Sequence, residues 1–172
     1  MRTDAIIAWW RAQHAYPLTM VNANLRHYVA DYDCRVTLPT LAEVDIVVRH
    51  VRKNWNRSIT RHRNYVVKPK EDGYRAHHLV VSKRGYKIEI QVRTKRQDFW
   101  ANTVEYDSRQ VKVDLKSGYG PDDVREYYRA ISDLFAHADT GTQPPADLGD
   151  RLLTLHRRVA PFLTGVSSEI KP

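Results

Sequence analysis

Two short stretches of this 172-residue chain put polar residues where strand chemistry normally has none. From Lys87 to Thr94 the side chains alternate, so Ile88, Ile90 and Val92 share one face while Lys87, Glu89, Gln91 and Arg93 share the other. One face is apolar, the other chargeable. The preceding run, Ala76 to Val81, has the β-branched content of a strand, and the link from Ser82 to Tyr86, with Gly85 for the turn, predicts a hairpin. Such a hairpin brings Arg75, His77 or His78 near the Glu89/Gln91/Arg93 row. Two readings stay open on pattern alone: an ordinary solvated outer face, or a site.

The elements around this hairpin follow from periodicity. Thr3 to His14 and Thr19 to Ala30 are expected as helices, then a first strand from Cys34 to Leu38 ended by Pro39. Leu41, Val44, Val48 and Val51 predict a helix from Thr40 to Lys53, and Ile59 to Val67 a second strand ended by Pro69. After the hairpin come helices at Lys95 to Ser108, Pro121 to Ala138 and Asp147 to Leu163, with a linker loop over 139–146 and a disordered tail over 165–172. The fold class is therefore α/β (α+β), a mixed sheet of four to five strands flanked by helices, in one domain over 1–164. Phe99 and Trp100 are expected in the core. So is Cys34, the single cysteine, which excludes an internal disulfide and fits a reducing cytoplasm.

With 28 Lys+Arg against 20 Asp+Glu the chain carries a net charge of +8, and its cations concentrate at Arg49, Arg52, Lys53, Arg57, Arg61, Arg63, Lys68 and Lys70 without an intervening acid. That run reads either as a solvated surface or as a contact for nucleotide or RNA. No segment is apolar for long enough to span a membrane, and Ala5 to Trp10 lacks a cleavage-like sequel, so a cytoplasmic protein is expected. The stripe Leu148, Leu152, Leu155, Val159, Phe162 can pack on its own domain or on a second copy as a homodimer.

Gly73-Tyr74-Arg75-Ala76-His77-His78, then Glu89-Ile90-Gln91-Val92-Arg93-Thr94 and Phe99-Trp100-Ala101, resemble in order and spacing the signature of the RelA/SpoT-type alarmone synthetase domain, of nucleotidyltransferase-like architecture. Trp9-Trp10-Arg11, His14 to Leu18, Val51 to Trp55, and Leu115 to Gly118 with Gly120-Pro121 resemble its single-domain branch, the small alarmone synthetases, in particular the toxin-like members of actinobacterial phages and prophages. The resemblance implies transfer of the β,γ-pyrophosphoryl group of ATP to the 3′-hydroxyl of GDP or GTP with magnesium, the GTP pyrophosphokinase reaction of the stringent response. Some toxin-like members are thought to act on the tRNA 3′ end. It further implies that Tyr74 stacks on the acceptor base, that Glu89 holds the metal and activates the hydroxyl, and that Gln91, Arg93, His78, Arg75, Lys68 and Lys70 line the phosphate side. Glu105 would close the acceptor pocket. Such transfer relies on positioning and charge neutralisation, so Lys/Arg plus a carboxylate-held magnesium is the required kit.

One block departs from the pattern. The family carries a basic loop and a helix before the first strand, and an Asp five residues ahead of the strand's Arg; here that count from Arg35 falls on Ala30, with Asp31 and Asp33 at even separations. A strand reverses facing with each residue, so neither is a direct replacement unless a bulge intervenes. Between Thr19 and Asp33 Arg26 is the sole Lys or Arg, so the ATP-gripping block reads as deleted. The expectation is a catalytically inactive homologue that keeps the acceptor half of its pocket and can bind guanine nucleotide or a protein partner such as an antitoxin. An active pyrophosphokinase acting on GDP/GTP or tRNA, and a non-enzymatic RNA-binding module, are the alternatives.

Overall fold

The computed structural model describes residues 32–83 and 85–164. The expected helices before Ala30, Arg26 and Asp31 lie outside them. The described residues divide into two compact units: 32–70 together with Arg75–Asp98, and Glu71–Tyr74 together with 99–164.

The first unit is a sheet with one helix. Its strands are β1 (Tyr32–Leu38), β2 (Ile59–Asn64), β3 (His77–Lys83) and β4 (Tyr86–Thr94) in the order β1-β4-β3-β2, with β1 parallel to β4 and the other pairs antiparallel. Helix α1 (Leu41–Trp55) starts on a capping box: Thr40 Oγ1 accepts from the Glu43 amide at 3.2 Å and Glu43 Oε2 accepts from the Thr40 amide at 3.1 Å. Its apolar stripe, Val44 and Val48, closes a core with Leu79, Val81, Ile90 and Val92. Each such buried aliphatic side chain stabilises by about 1.5–3 kcal/mol. The even-numbered residues of β4 enter this core, which leaves Glu89, Gln91 and Arg93 on the opposite face, as the alternation predicts.

Three sequence expectations shift. The second strand ends at Asn64 rather than Val67, because the Asn64 side chain accepts from the amides of Val66 (3.0 Å) and Val67 (3.1 Å) and turns the chain. The hairpin link is tighter than five residues: Lys83 pairs with Tyr86, and Gly85 takes φ +83°. Cys34 is exposed rather than buried, since α1 packs over Val36 and Leu38 further along β1.

The second unit is helical. Helix α2 (Lys95–Val111) has its first turn in the sheet unit; from Phe99 on it packs against α3 (Asp122–Thr140), which packs in turn on α4 (Leu148–Leu163). Trp100 is 2 % exposed and donates through Nε1 to the Tyr128 carbonyl at 2.8 Å, while the Tyr128 hydroxyl donates to Asp107 at 2.5 Å. Both polar tips of this aromatic core are thus satisfied. Gly73 lies against α3, where Ser132 Oγ donates to its carbonyl; with φ +94° and a virtual Cβ 3.1 Å from the Arg129 Cα, no other residue fits without a shift. Leu148, Leu152, Leu155 and Val159 are all buried within this chain, so the seam offered for a homodimer is used internally.

Candidate functional site on the polar face of the sheet

Strand register decides which polar residues meet. One rung across the sheet reads Arg61, Val80, Glu89, Asp33, and the next reads Arg63, His78, Gln91, Arg35. Glu89 is the centre of this face. Its diagonal neighbour His78 meets Oε1 through Nδ1 at 2.9 Å, and Gln91 Nε2 donates to Oε2 at 3.2 Å. The His78 hydrogen bond holds the Glu89 carboxyl below its ordinary value; burial opposes the shift, and the His78 charge, Gln91 and the Lys70 ammonium add to it. Glu89 is consequently anionic at neutral pH. A lowered value makes it a weak proton acceptor and a good ligand for a cation.

The neighbours form a chain of contacts. Lys70 Nζ stands 5.2 Å over the Tyr65 ring, and Tyr65 meets the His78 ring edge-on at 5.3 Å. Arg75 donates to the Val66 carbonyl at 3.0 Å and so holds the turn after β2 against the start of β3. Lys68, on that turn, is exposed. Arg93 is 2 % exposed, and its Nε donates to Asp98 at 2.8 Å, which engages this cation with a carboxylate of the following helix turn.

The residues proposed from sequence are drawn from both units. Glu89, His78, Gln91, Lys70 and Arg75 are grouped around one face of the sheet unit, whereas Tyr74 and Glu105 belong to the helical unit. Tyr74 is 7 % exposed and packs beside Trp100 with ring centres 6.3 Å apart and planes tilted by 57°. Glu105 accepts from Lys116 at 2.8 Å and Arg109 at 2.5 Å. Burial raises its carboxyl, but Lys116 and then Arg109 outweigh that and bring it down to about 2.

Register also adds residues that spacing missed. Asp33 stands level with Glu89 on adjacent parallel strands, although its even separation from Arg35 had argued against it. Arg61 and Arg63 occupy the same two rungs from the other edge. The alternation in Ile59 to Asn64 carried that signal, for it separates the two arginines from Thr60, His62 and Asn64.

Magnesium binds hard oxygen ligands, keeps several waters, and is usually shared with substrate phosphates rather than caged by protein. Among the described residues no group of three or more His, Cys, Asp or Glu could hold a metal alone. An anionic Glu89 fits the shared mode.

A mixed sheet with a carboxylate-centred polar face on one side and a helix-covered core on the other defines the class: an α+β domain of synthetase architecture. The region found in RelA/SpoT proteins matches residues 21–110, just over half of the sequence, and the chain belongs to that family. Solved structures agree in fold. Small alarmone synthetase 1 of Bacillus subtilis bound to its product pppGpp superposes with a TM-score of 0.56 at 20% identity, covering 82% of this chain and 72% of that one. Small alarmone synthetase 2 of the same organism gives 0.51 at 20% identity, covering 92% and 78%. Comparison with curated proteins returned no match. No helix among the described residues is long and apolar enough to cross a membrane.

Proposed function

We propose that this chain is a guanine-nucleotide-binding member of the family, cytoplasmic, whose capacity for pyrophosphoryl transfer is crippled on the donor side. The observation that carries the reading is the Glu89 carboxylate fixed by His78 and Gln91. Glu89, with Asp33 beside it in register, would hold a magnesium ion that neutralises nucleotide phosphates; Lys70 and Lys68 add positive charge at the end of the turn that Arg75 braces. Gln91 and His78 fix the orientation of Glu89. Arg93, engaged by Asp98, contributes to the frame of the face. The poverty of Lys and Arg between Thr19 and Asp33 leaves an ATP triphosphate without its grip.

A second reading, a working pyrophosphokinase, is favoured by one specific observation: Arg61 and Arg63 share rungs with Glu89 and Gln91, and Asp33 is level with Glu89 in strand register. In that case the edge strand supplies the cations that the missing loop would have given.

The test is incubation with magnesium, γ-labelled ATP and, separately, GDP, GTP and deacylated tRNA, with GTP affinity measured in parallel. GTP binding without label transfer is expected. Label transfer that disappears in Glu89→Gln establishes the second reading, with the labelled species naming the acceptor. Neither binding nor transfer overturns both. Roles as a toxin held by an antitoxin or as a phage-defence factor stand behind this result: transfer to an essential acceptor would support them.

A further inference from the structure

On the face of the sheet away from Glu89, His62 Nε2 and His77 Nδ1 lie 3.1 Å apart, with ring centres at 5.4 Å and planes 26° from parallel. We propose that this imidazole pair is a positioning clamp: it holds edge strand β2 on β3, keeps Arg61 and Arg63 in the rungs of Glu89 and Gln91, and releases them on acidification. The functional consequence rests on the nucleotide site proposed above; the clamp itself does not.

Edge strand β2 has little else in side chains to hold it. Of its six residues only Ile59 is partly buried, packing against the α1 core, and a register shift separates Ile59 from Arg61. Thr60 Oγ1 donates to the Val80 carbonyl at 3.2 Å. Beyond the shift, the side-chain bond to β3 is the one between His62 and His77. The alternation of the strand then turns a His62 contact on one face into placement of Arg61 and Arg63 on the other.

A bond between two imidazoles needs one N–H donor and one bare nitrogen. Protonating the acceptor leaves two donors face to face, and protonating both sets two cations at contact. The surroundings resist that charge. Partial loss of water around the otherwise exposed His62 ring lowers its pKa, with Arg52 of α1 adding to the effect; burial lowers His77, with His62 and the neighbouring His78 adding and Asp45 of α1 opposing. When β2 detaches, the imidazoles regain ordinary values near 6.5. Both folded values are depressed, so the stabilisation is complete above about pH 6.5 and is lost as pH falls through the folded values. Within that window each proton taken up on opening favours the detached strand about tenfold per pH unit.

The experiment is amide hydrogen exchange of Arg61–Asn64 between pH 7.5 and 5, corrected for intrinsic rates, in the full chain and in His77→Leu, with magnesium–GTP affinity measured at the same pH values. Protection in the native chain should fall at least about tenfold below the window while the α3 amides of Ile131–Phe135 hold theirs. In His77→Leu the fall should vanish, and GTP affinity should lose its extra acid sensitivity. Flat protection in the native chain, or an equally steep fall in His77→Leu, overturns the clamp. Should GTP bind at no pH, the proposed function fails while exchange still decides the clamp. Should His77→Leu not fold, the native imidazole titrations decide by NMR: coupled, depressed titration supports the clamp, and independent titration near 6.5 overturns it.

Discussion

The two units handle positive charge differently. In the helical unit Arg109 and Lys116 are matched with Glu105, Arg125 with Asp122, Arg151 with Glu126 and Arg158 with Asp123, while Lys112, Arg129 and Arg157 form no ion pair among the described residues. In the sheet unit Arg49, Arg52, Lys53, Arg57, Arg61 and Arg63 are exposed, and none forms an ion pair among the described residues. Solvated pairs on helices contribute about 0–1 kcal/mol each, so the matching in the helical unit chiefly removes net field from its surface. Unmatched cations keep their field and repel each other, which disfavours the compact state. Accumulating them on one short edge strand and the end of one helix is understandable as preparation for an anion. The difference is one of degree: most helical cations have a carboxylate partner, whereas the run from Arg49 to Arg63 has none.

That contrast can be broken at several points. The largest effect belongs to the aromatic core of the helical unit: Trp100→Ala should cost about 3–5 kcal/mol in urea denaturation, since it empties a buried site and orphans the Tyr128 carbonyl bond. A cost below about 1 kcal/mol would mean that packing does not hold this unit. On the sheet, Glu89→Gln should leave stability within about 1 kcal/mol but weaken magnesium–GTP binding roughly 10- to 100-fold, the worth of one charge-assisted contact. Unchanged calorimetric affinity would remove Glu89 from the site.

The Glu105→Gln substitution should cost on the order of 1–2 kcal/mol at pH 7, after discounting for its partial exposure. Because the folded carboxyl lies at about 2 against an ordinary 4.5, this stabilisation is present above about pH 4.5 and is lost as pH falls toward 2. Native and variant stabilities should therefore converge between pH 4.5 and 2, and parallel curves there would contradict the pairing. The smallest stability effect is expected for Arg61→Gln with Arg63→Gln: a change within about 0.5 kcal/mol, or a slight gain from relieved repulsion. The same double variant should bind GTP more weakly and with less dependence on salt. A large loss of stability would show that these arginines serve the fold, and the contrast between the units would collapse.

Much of the architecture was legible in the chain. Val44 and Val48 at helical spacing, the alternation of Ile88, Ile90 and Val92, and the Pro121-Asp122-Asp123 start each announce an element whose local physics and final environment agree. The motif that names the family is likewise local, and so was Glu89 as its centre. Other features were hidden because they depend on a partner strand or helix. Asn64 ends β2 by capping amides that propensity alone would have left in a strand. Cys34 sits in an apolar run yet is exposed, because α1 covers β1 only from Val36 onward. Tyr74 carries the right motif position for stacking, and its burial beside Trp100 depends on a helix distant in sequence.

The sequence by itself determined the family, the order of the elements, the apolar and polar faces of β4 and the concentration of cations before Lys70, since each rests on residue identity and a period of two or 3.6. The tertiary structure alone decided that Asp33 stands level with Glu89, that Arg61 and Arg63 enter the same rungs, and that His62 meets His77 behind them. Register between strands is a relation between distant segments, fixed by how two pleated backbones and one buried face fit together, and no spacing within a single strand contains it.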